Sequence, residues 1–253
     1  MCRMALVLFT VPFVLSASWQ REILDWGMIG SFGLGGYLSA KAGPFFETPL
    51  IPGAGDRPYL EERVTNPWVY GAMLATAGAV SILPNQDGWL NERSYRHLKG
   101  SLLAITSGYF IKELAKDIVG RPRPDYYDRL AKGIGLDEAR DSWPSGHAAH
   151  FATAATYLSL FTWDEWRSTE PLAIAAKTGI TALLVGTWAW VSWTRIQDNR
   201  HYPGDIIAGT ILGSGTALLG YSCEQWWGMQ NTSNGSSTFF EISPFSVTMR
   251  VRF

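Results

Sequence analysis

An all-α helical bundle with a short strand-like C-terminal tail is the fold this sequence predicts, and three observations predict it. Stretches free of formal charge recur at 64–86, 100–111, 142–163, 178–194 and 206–223. All but the second are long enough for a buried or membrane-spanning helix. Their interiors are rich in Ala, Gly, Ser and Thr, small residues that let helix backbones approach closely. The tail differs: Val247, Met249, Val251 and Phe253 alternate with Thr248, Arg250 and Arg252, the period of a strand.

Taken in order, residues 1–18 carry Arg3, an apolar run over 4–15 and the small residues Ser16, Ala17 and Ser18, the pattern of a signal peptide. An N-terminal anchor is the competing reading, although Pro12 interrupts a run already short for a span. Residues 19–97 form an N-terminal helical region. Within it Pro44, Pro49, Pro52 and Pro58, with Gly43, Gly53 and Gly55, forbid one continuous helix and predict a loop. The second charge-free stretch lengthens to 98–116 if Lys99 and Lys112 lie near its ends, where long side chains reach a polar zone. Residues 98–223 form the core of the bundle. In 224–253, 228–238 reads as a polar flexible linker, and the strand-like run after it pairs with something the sequence does not reveal, such as residues before 64, or lies on a surface. The sequons at Asn231 and Asn234 read as accidental matches.

Composition excludes several functions. With 21 Lys plus Arg against 22 Asp plus Glu, the net charge of −1 gives no global basic field for nucleic acid. A mean hydropathy of +0.00 is low for a polytopic membrane protein, yet 12 Trp, 10 Tyr and 26 Gly suit helices that meet a bilayer. Cys2 and Cys223 cannot make a disulfide framework, and no Cys/His spacing accompanies them for structural zinc.

Three clusters concentrate chemistry-bearing residues: Lys116 with Arg121, Arg123 and Pro124; Pro144, Ser145, Gly146 and His147; and Arg195 with Arg200, His201 and Asp205. Lys116 ends one helix and His147 begins the next. The helix after His147 crosses away, the charged turn at 164–170 marks the far side, and the following helix crosses back to deliver Arg195. Asp205 then opens the last helix, so four helix ends converge on one face. Lys116, Arg121 or Arg123, and Arg195, with backbone amides at Ser145 and Gly146, make a site for a dianion, and phosphate is the obvious occupant. His147 and His201 supply what displacement at phosphorus also needs, a nucleophile and an acid for the leaving oxygen. No acidic cluster is present to hold Mg²⁺, so the residues favour a covalent-histidine mechanism without metal or cofactor.

The neighbours of these residues have plainer readings. Lys112 reads as part of a solvated Lys-Glu-Leu-Ala-Lys face. Arg121 and Arg200 read as supporting ion pairs or head-group contacts, and His150 as a packed or bundle-lining residue. Asp205 reads both as a helix cap and as a catalytic partner.

The three clusters resemble the type 2 phosphatidic acid phosphatases (PAP2), which share a fold and anion site with bacterial class A acid phosphatases and vanadium haloperoxidases. The family pattern is Lys, six residues, Arg-Pro; then Pro-Ser-Gly-His; then Ser-Arg, five residues, His, three residues, Asp. Lys116 to Arg123-Pro124, Pro144 to His147, and Arg195 to His201 to Asp205 match it, with Thr194 in place of the usual Ser. The resemblance spans about residues 98–220. It implies that His201 attacks phosphorus, that Asp205 holds its imidazole in the required tautomer, and that His147 protonates the leaving oxygen and later activates water. It further implies that Lys116, Arg123, Arg195, Ser145 and Gly146 hold the phosphoryl oxygens, a pocket that vanadate or phosphate can occupy. The implied protein is a lipid phosphate phosphatase of a bacterial cell envelope, embedded in or attached to the membrane, with its site on the periplasmic side. Its substrate is a lipid monophosphate or diphosphate, and it needs no obligate protein partner. An exported soluble acid phosphatase and a vanadate-dependent haloperoxidase are the alternatives. Substrate specificity is expected in 19–97 and 125–143, which no motif covers.

Overall fold

A computed structural model describes the backbone of residues 3–233, 237–243 and 246–252, and the side chains over 22–225. The chain is all-α in its body: α1 Arg3–Ala42, α2 Asn66–Ile82, α3 Glu92–Val119, α4 Tyr126–Lys132, α5 Gly146–Glu165, α6 Pro171–Gln197 and α7 Pro203–Ser233. The leader-like residues are continuous with α1, which runs through Pro12. Residues 43–65 form the expected irregular loop.

Four differences from the sequence reading have physical causes. Helix α3 begins at Glu92 because Asn91 caps it: the Asn91 side chain accepts from the Ser94 N–H while the Ser94 hydroxyl reaches back to the Asn91 N–H. The short α4 was not anticipated, and it stops at Gly133, whose φ of 66° favours glycine. The polar run after Gly228 is not a linker over its whole length, since α7 continues to Ser233. The tail strand β2 (Ser246–Arg252) does not pair with residues before 64. Its partner is the adjacent β1 (Ser237–Ser243), antiparallel with Ser243 opposite Ser246. Asn231 lies in the last turns of α7, and Asn234, like Cys2, falls outside the described residues.

Helix α3 is the central post, with α1, α2, α5 and α7 packed around it, while α6 packs on α5. Glycines set the closest contacts. A methyl on Gly209 or Gly213 of α7 would run into the Ser145 and Ala149 carbonyls of α5, and one on Gly100 would meet the Gly220 carbonyl. Val80, Ala104, Tyr157, Phe161, Ala217 and Tyr221 form the apolar core between these helices.

Alternating helix direction sorts the polar residues to two ends. One end gathers Arg93, Arg96 and His97 of α3 with Glu165 of α5 and Glu224 of α7. The other gathers the end of α3, the start of α5, the end of α6 and the start of α7. Between them, large apolar side chains face outward: Leu34 on α1, Trp68 and Leu74 on α2, Leu172 and Leu183 on α6, Ile207 and Ile211 on α7. Helix α6 and the Pro203–Gln225 part of α7 are long and apolar enough to cross a membrane.

Candidate active site

The end of α3 is fixed by Gly120, whose left-handed φ of 56° lets its N–H close on the Lys116 carbonyl at 2.8 Å. The chain leaves extended through Arg121 to Arg123 and is tied to the segment before α5 by two backbone bonds, Arg123 N–H to Ala139 O (2.9 Å) and Ser142 N–H to Arg121 O (3.1 Å). Ser145 then caps α5: its hydroxyl accepts from the Ala148 N–H, and its own N–H donates to the Asp205 carbonyl at 3.0 Å. That bond and the Gly209 contact lock the start of α5 to the start of α7. After α6 the chain turns through Asn199 (φ 53°), and the N–H groups of Arg200 and His201 both donate to the Arg195 carbonyl.

This local order brings the sequence-predicted residues together. His147, at the N-terminus of α5, lies within electrostatic reach of Arg195, His201, Lys112 and Arg123, and His201 within reach of Arg123. Lys116 sits beside Arg123 and is held by Glu113 (3.2 Å) and Asp141 (3.9 Å). The Ser145 oxygen accepts in the cap while its O–H can still donate, so that hydroxyl and the unbonded first-turn amides near Gly146 are both suited to an anion.

The two motif arginines share a feature. Arg195 gives its Nη1 to Glu62 (3.2 Å) and its Nη2 to Asp198 (3.1 Å), and Arg123 gives its Nη1 to Glu138 (3.3 Å). Among the described residues, the buried Nε of each has no hydrogen-bond partner, and the same holds for Nε2 of His147. Other buried atoms among the described residues also lack a hydrogen-bond partner, including Arg129 Nη2, Arg200 Nε, His97 Nδ1 and Glu224 Oε2; those of Arg123, Arg195 and His147 come from the three separated motifs and lie within electrostatic reach of one another, an arrangement suited to an anion supplied from outside the chain.

His201 is buried, and its Nδ1 lies 2.6 Å from the Ser142 carbonyl oxygen. A carbonyl can only accept, so Nδ1 carries the proton and Nε2 keeps its lone pair. Burial pulls the ring down to about 4, helped by Arg123, against the upward push of Asp205 and the Ser142 carbonyl. The ring is therefore neutral near pH 7, as a nucleophile must be. Asp205 Oδ2 stands 3.8 Å from Nδ1, beyond hydrogen-bond range. That carboxylate instead accepts from the Ser142 hydroxyl (2.6 Å) and the Tyr202 N–H (2.9 Å), and pairs with Arg121 (2.5 Å). Asp205 thus grips the segment whose carbonyl orients His201, where direct contact with the imidazole had been expected.

The supporting residues divide. Arg121 stacks on the Tyr202 ring at 4.2 Å and belongs to the Asp205 network. Arg200 shares Glu62 with Arg195 (3.4 Å), donates to the Leu60 carbonyl (2.8 Å), lies on Tyr59 (4.5 Å) and faces Asp125 (3.6 Å), tying the 43–65 loop to the site as a supporting ion pair. His150 is buried beside Tyr109, with Lys112 and Glu113 near. The solvated reading of Lys112 is overturned: it is buried, paired with Glu113 at 2.5 Å and packed on Gly146, whose missing side chain makes the room. Sequence reasoning missed Ser142, Glu62, Asp198 and Glu138, none of which belongs to a motif.

Residues 98–229 match the PAP2 superfamily profile. The chain is 29% identical over 140 residues to lipid phosphate phosphatase 2 of Arabidopsis thaliana, covering 48% of each chain. It is 29% identical over 139 residues to diacylglycerol pyrophosphate phosphatase 1 of Saccharomyces cerevisiae (47% of this chain, 48% of that one). It is 24% identical over 145 residues to human phospholipid phosphatase 2 (49% and 50%). The chain spans about half the length of the curated relatives it matches. No solved structure matches it.

Proposed function

Since the chain belongs to the PAP2 superfamily, we propose that it is a metal-independent phosphatase releasing the terminal phosphate of a membrane lipid phosphate through a phosphohistidine. The observation that carries this reading is the unpaired Nε of Arg123 and of Arg195 and the unpaired Nε2 of His147, within electrostatic reach of one another and of a neutral His201. The Nε2 lone pair of His201 forms a bond to phosphorus as the bond to the leaving oxygen breaks. His147 gives that oxygen its proton, and the bound dianion's charge favours the protonated ring. Water, deprotonated by His147, then displaces His201 and frees inorganic phosphate. The positive charge that a metal would bring to the equatorial oxygens is brought by Lys116, Arg123, Arg195 and the first amides of α5.

The outward apolar side chains on α1, α2, α6 and α7 support a lipid setting over a soluble acid phosphatase. The leader-like N-terminus supports placing the site on the extracytoplasmic side of a bacterial envelope. The names of the relatives support a lipid phosphate as substrate. The test is phosphate release from a panel of lipid and soluble phosphoesters in EDTA, beside a His201→Ala control. Release from lipid phosphates that persists in chelator and vanishes in the variant is expected. Loss of activity in chelator, restored by a divalent cation, overturns the mechanism.

A further inference from the structure

We propose that Lys112, which belongs to none of the three clusters, is a positioning residue of the anion site: its ammonium, seated against the first residue of α5, governs how readily His147 takes and gives up a proton. The proposal rests on the phosphatase reading and adds a residue to the same site.

Lys112 lies one helical turn before Lys116, on the same face of α3. Its side chain is buried, and its Cδ and Nζ stand 3.0 and 3.3 Å from the point that a Cβ would occupy on Gly146. The glycine of the second cluster therefore leaves the space in which this lysine lies, and the ammonium comes to rest beside the residue that precedes His147. Glu113 does not cancel its charge. That one carboxylate serves two ammonium groups, with Oε1 at 2.5 Å from Lys112 and Oε2 at 3.2 Å from Lys116. Lys112 is among the groups that act most strongly on His147, and Glu113 is not.

The other groups that reach His147 come from three further places: Arg123 from the segment after α3, Arg195 from α6 and His201 from the turn before α7. The two arginines are bound by Glu138, Glu62 and Asp198, and the Asp205 carboxylate stands 3.8 Å from His201. Burial and these cations all oppose a proton on His147, while a bound phosphate dianion favours one. In the phosphatase cycle this ring gives a proton to the leaving oxygen and then takes one from water, so a ring held too firmly protonated fails in the second step. The ammonium of Lys112 offsets that hold.

The test uses the full chain in detergent micelles, saturated with inorganic phosphate, with the His147 titration read by nitrogen NMR of labelled histidine. In Lys112→Met, which keeps an unbranched stem and removes the charge, the His147 midpoint rises by about one pH unit, about tenfold in proton affinity. Lys112→Arg, which keeps the charge, leaves the midpoint near its wild-type position. Gly146→Ala, whose methyl pushes the ammonium off α5, gives a smaller rise and serves if Lys112→Met does not fold. The alkaline limb of kcat on a lipid monophosphate moves up with the midpoint, because His147 must carry its proton into the first step. A midpoint that stays in place in Lys112→Met and in Gly146→Ala overturns the assignment. So does a kcat lowered equally at every pH with the limb unmoved, which marks a purely structural lysine. The expected shift without hydrolysis of any lipid phosphate upholds the role of Lys112 and contradicts the phosphatase reading. A wild-type chain that binds no phosphate contradicts both.

Discussion

The bundle buries a histidine among charges at each end, and the two ends are built for different purposes. At the far end His97 Nε2 lies 3.0 Å from Glu165, which Arg93 meets at 2.7 Å, while Arg96 holds Glu92 (3.3 Å) and Glu224 (3.5 Å). The chain supplies both signs there, and the network ties α3, α5 and α7 together. At the near end His201 bonds to a carbonyl, with the Asp205 carboxylate at 3.8 Å, and the unpaired atoms of the three clusters are the Nε of Arg123, Arg195 and Arg200 and the Nε2 of His147. Buried charge is thus no mark of function by itself. What distinguishes the site is sign: it leaves three guanidinium donors unpaired, whereas the far end leaves His97 Nδ1 and a carboxylate oxygen of Glu224.

Substitutions at the two ends should separate accordingly. The largest effect is expected from His201→Ala or Arg195→Ala, which lower kcat by about 10³-fold or more; the thermal midpoint stays near wild type in His201→Ala and falls in Arg195→Ala, whose buried guanidinium pairs with the buried Asp198. Steady-state rates beside a melting curve check this. Next is Gly209→Ala. Its methyl meets the Ser145 carbonyl and displaces the start of α5, for which a loss of about 10²-fold in kcat is expected, since small misplacements of catalytic groups are costly. Asp205→Asn comes third, at about tenfold in kcat, because the Ser142 carbonyl still fixes the imidazole tautomer. The Asp205 carboxylate raises the His201 pKa, so its removal moves ring protonation from about 4 to lower pH. Nitrogen NMR of labelled histidine reads that direction, and a rise would show that the network has been misassigned. The smallest effect on catalysis belongs to the far end. Arg93→Ala leaves Glu165 with His97 and the Gln86 N–H and costs about 2 kcal/mol of stability, yet kcat per folded molecule should stay within about twofold.

Much of this comparison was legible in the sequence. Charge-free runs of helical length fix how many times the chain crosses the bundle, and hence that Lys116, His147, Arg195 and Asp205 share an end. Glycine and proline mark where each motif leaves its helix. Less legible was everything that depends on packing from several sides. Lys112 has the i, i+4 spacing of a surface lysine, and only the approach of Gly146 buries it. Ser142 acts through its carbonyl, which every residue possesses, so no side-chain signal announces it. Glu62 and Glu138 reach the arginines from loops whose course local propensity does not determine. The partner of the tail strand was not legible because Ser237–Ser243, with adjacent Phe239 and Phe240, lacks the alternation that betrays a half-buried strand.

The claim on which the account turns is that His201 presents a free Nε2 to phosphorus. A single turnover on a lipid phosphate, quenched in base and mapped by mass spectrometry, tests it most directly. Phosphate on His201, absent in the His201→Ala chain and accumulating when His147 is replaced by Ala and the substrate carries a good leaving group, is the result predicted. Phosphate on a different residue, or full turnover by His201→Ala, would contradict it.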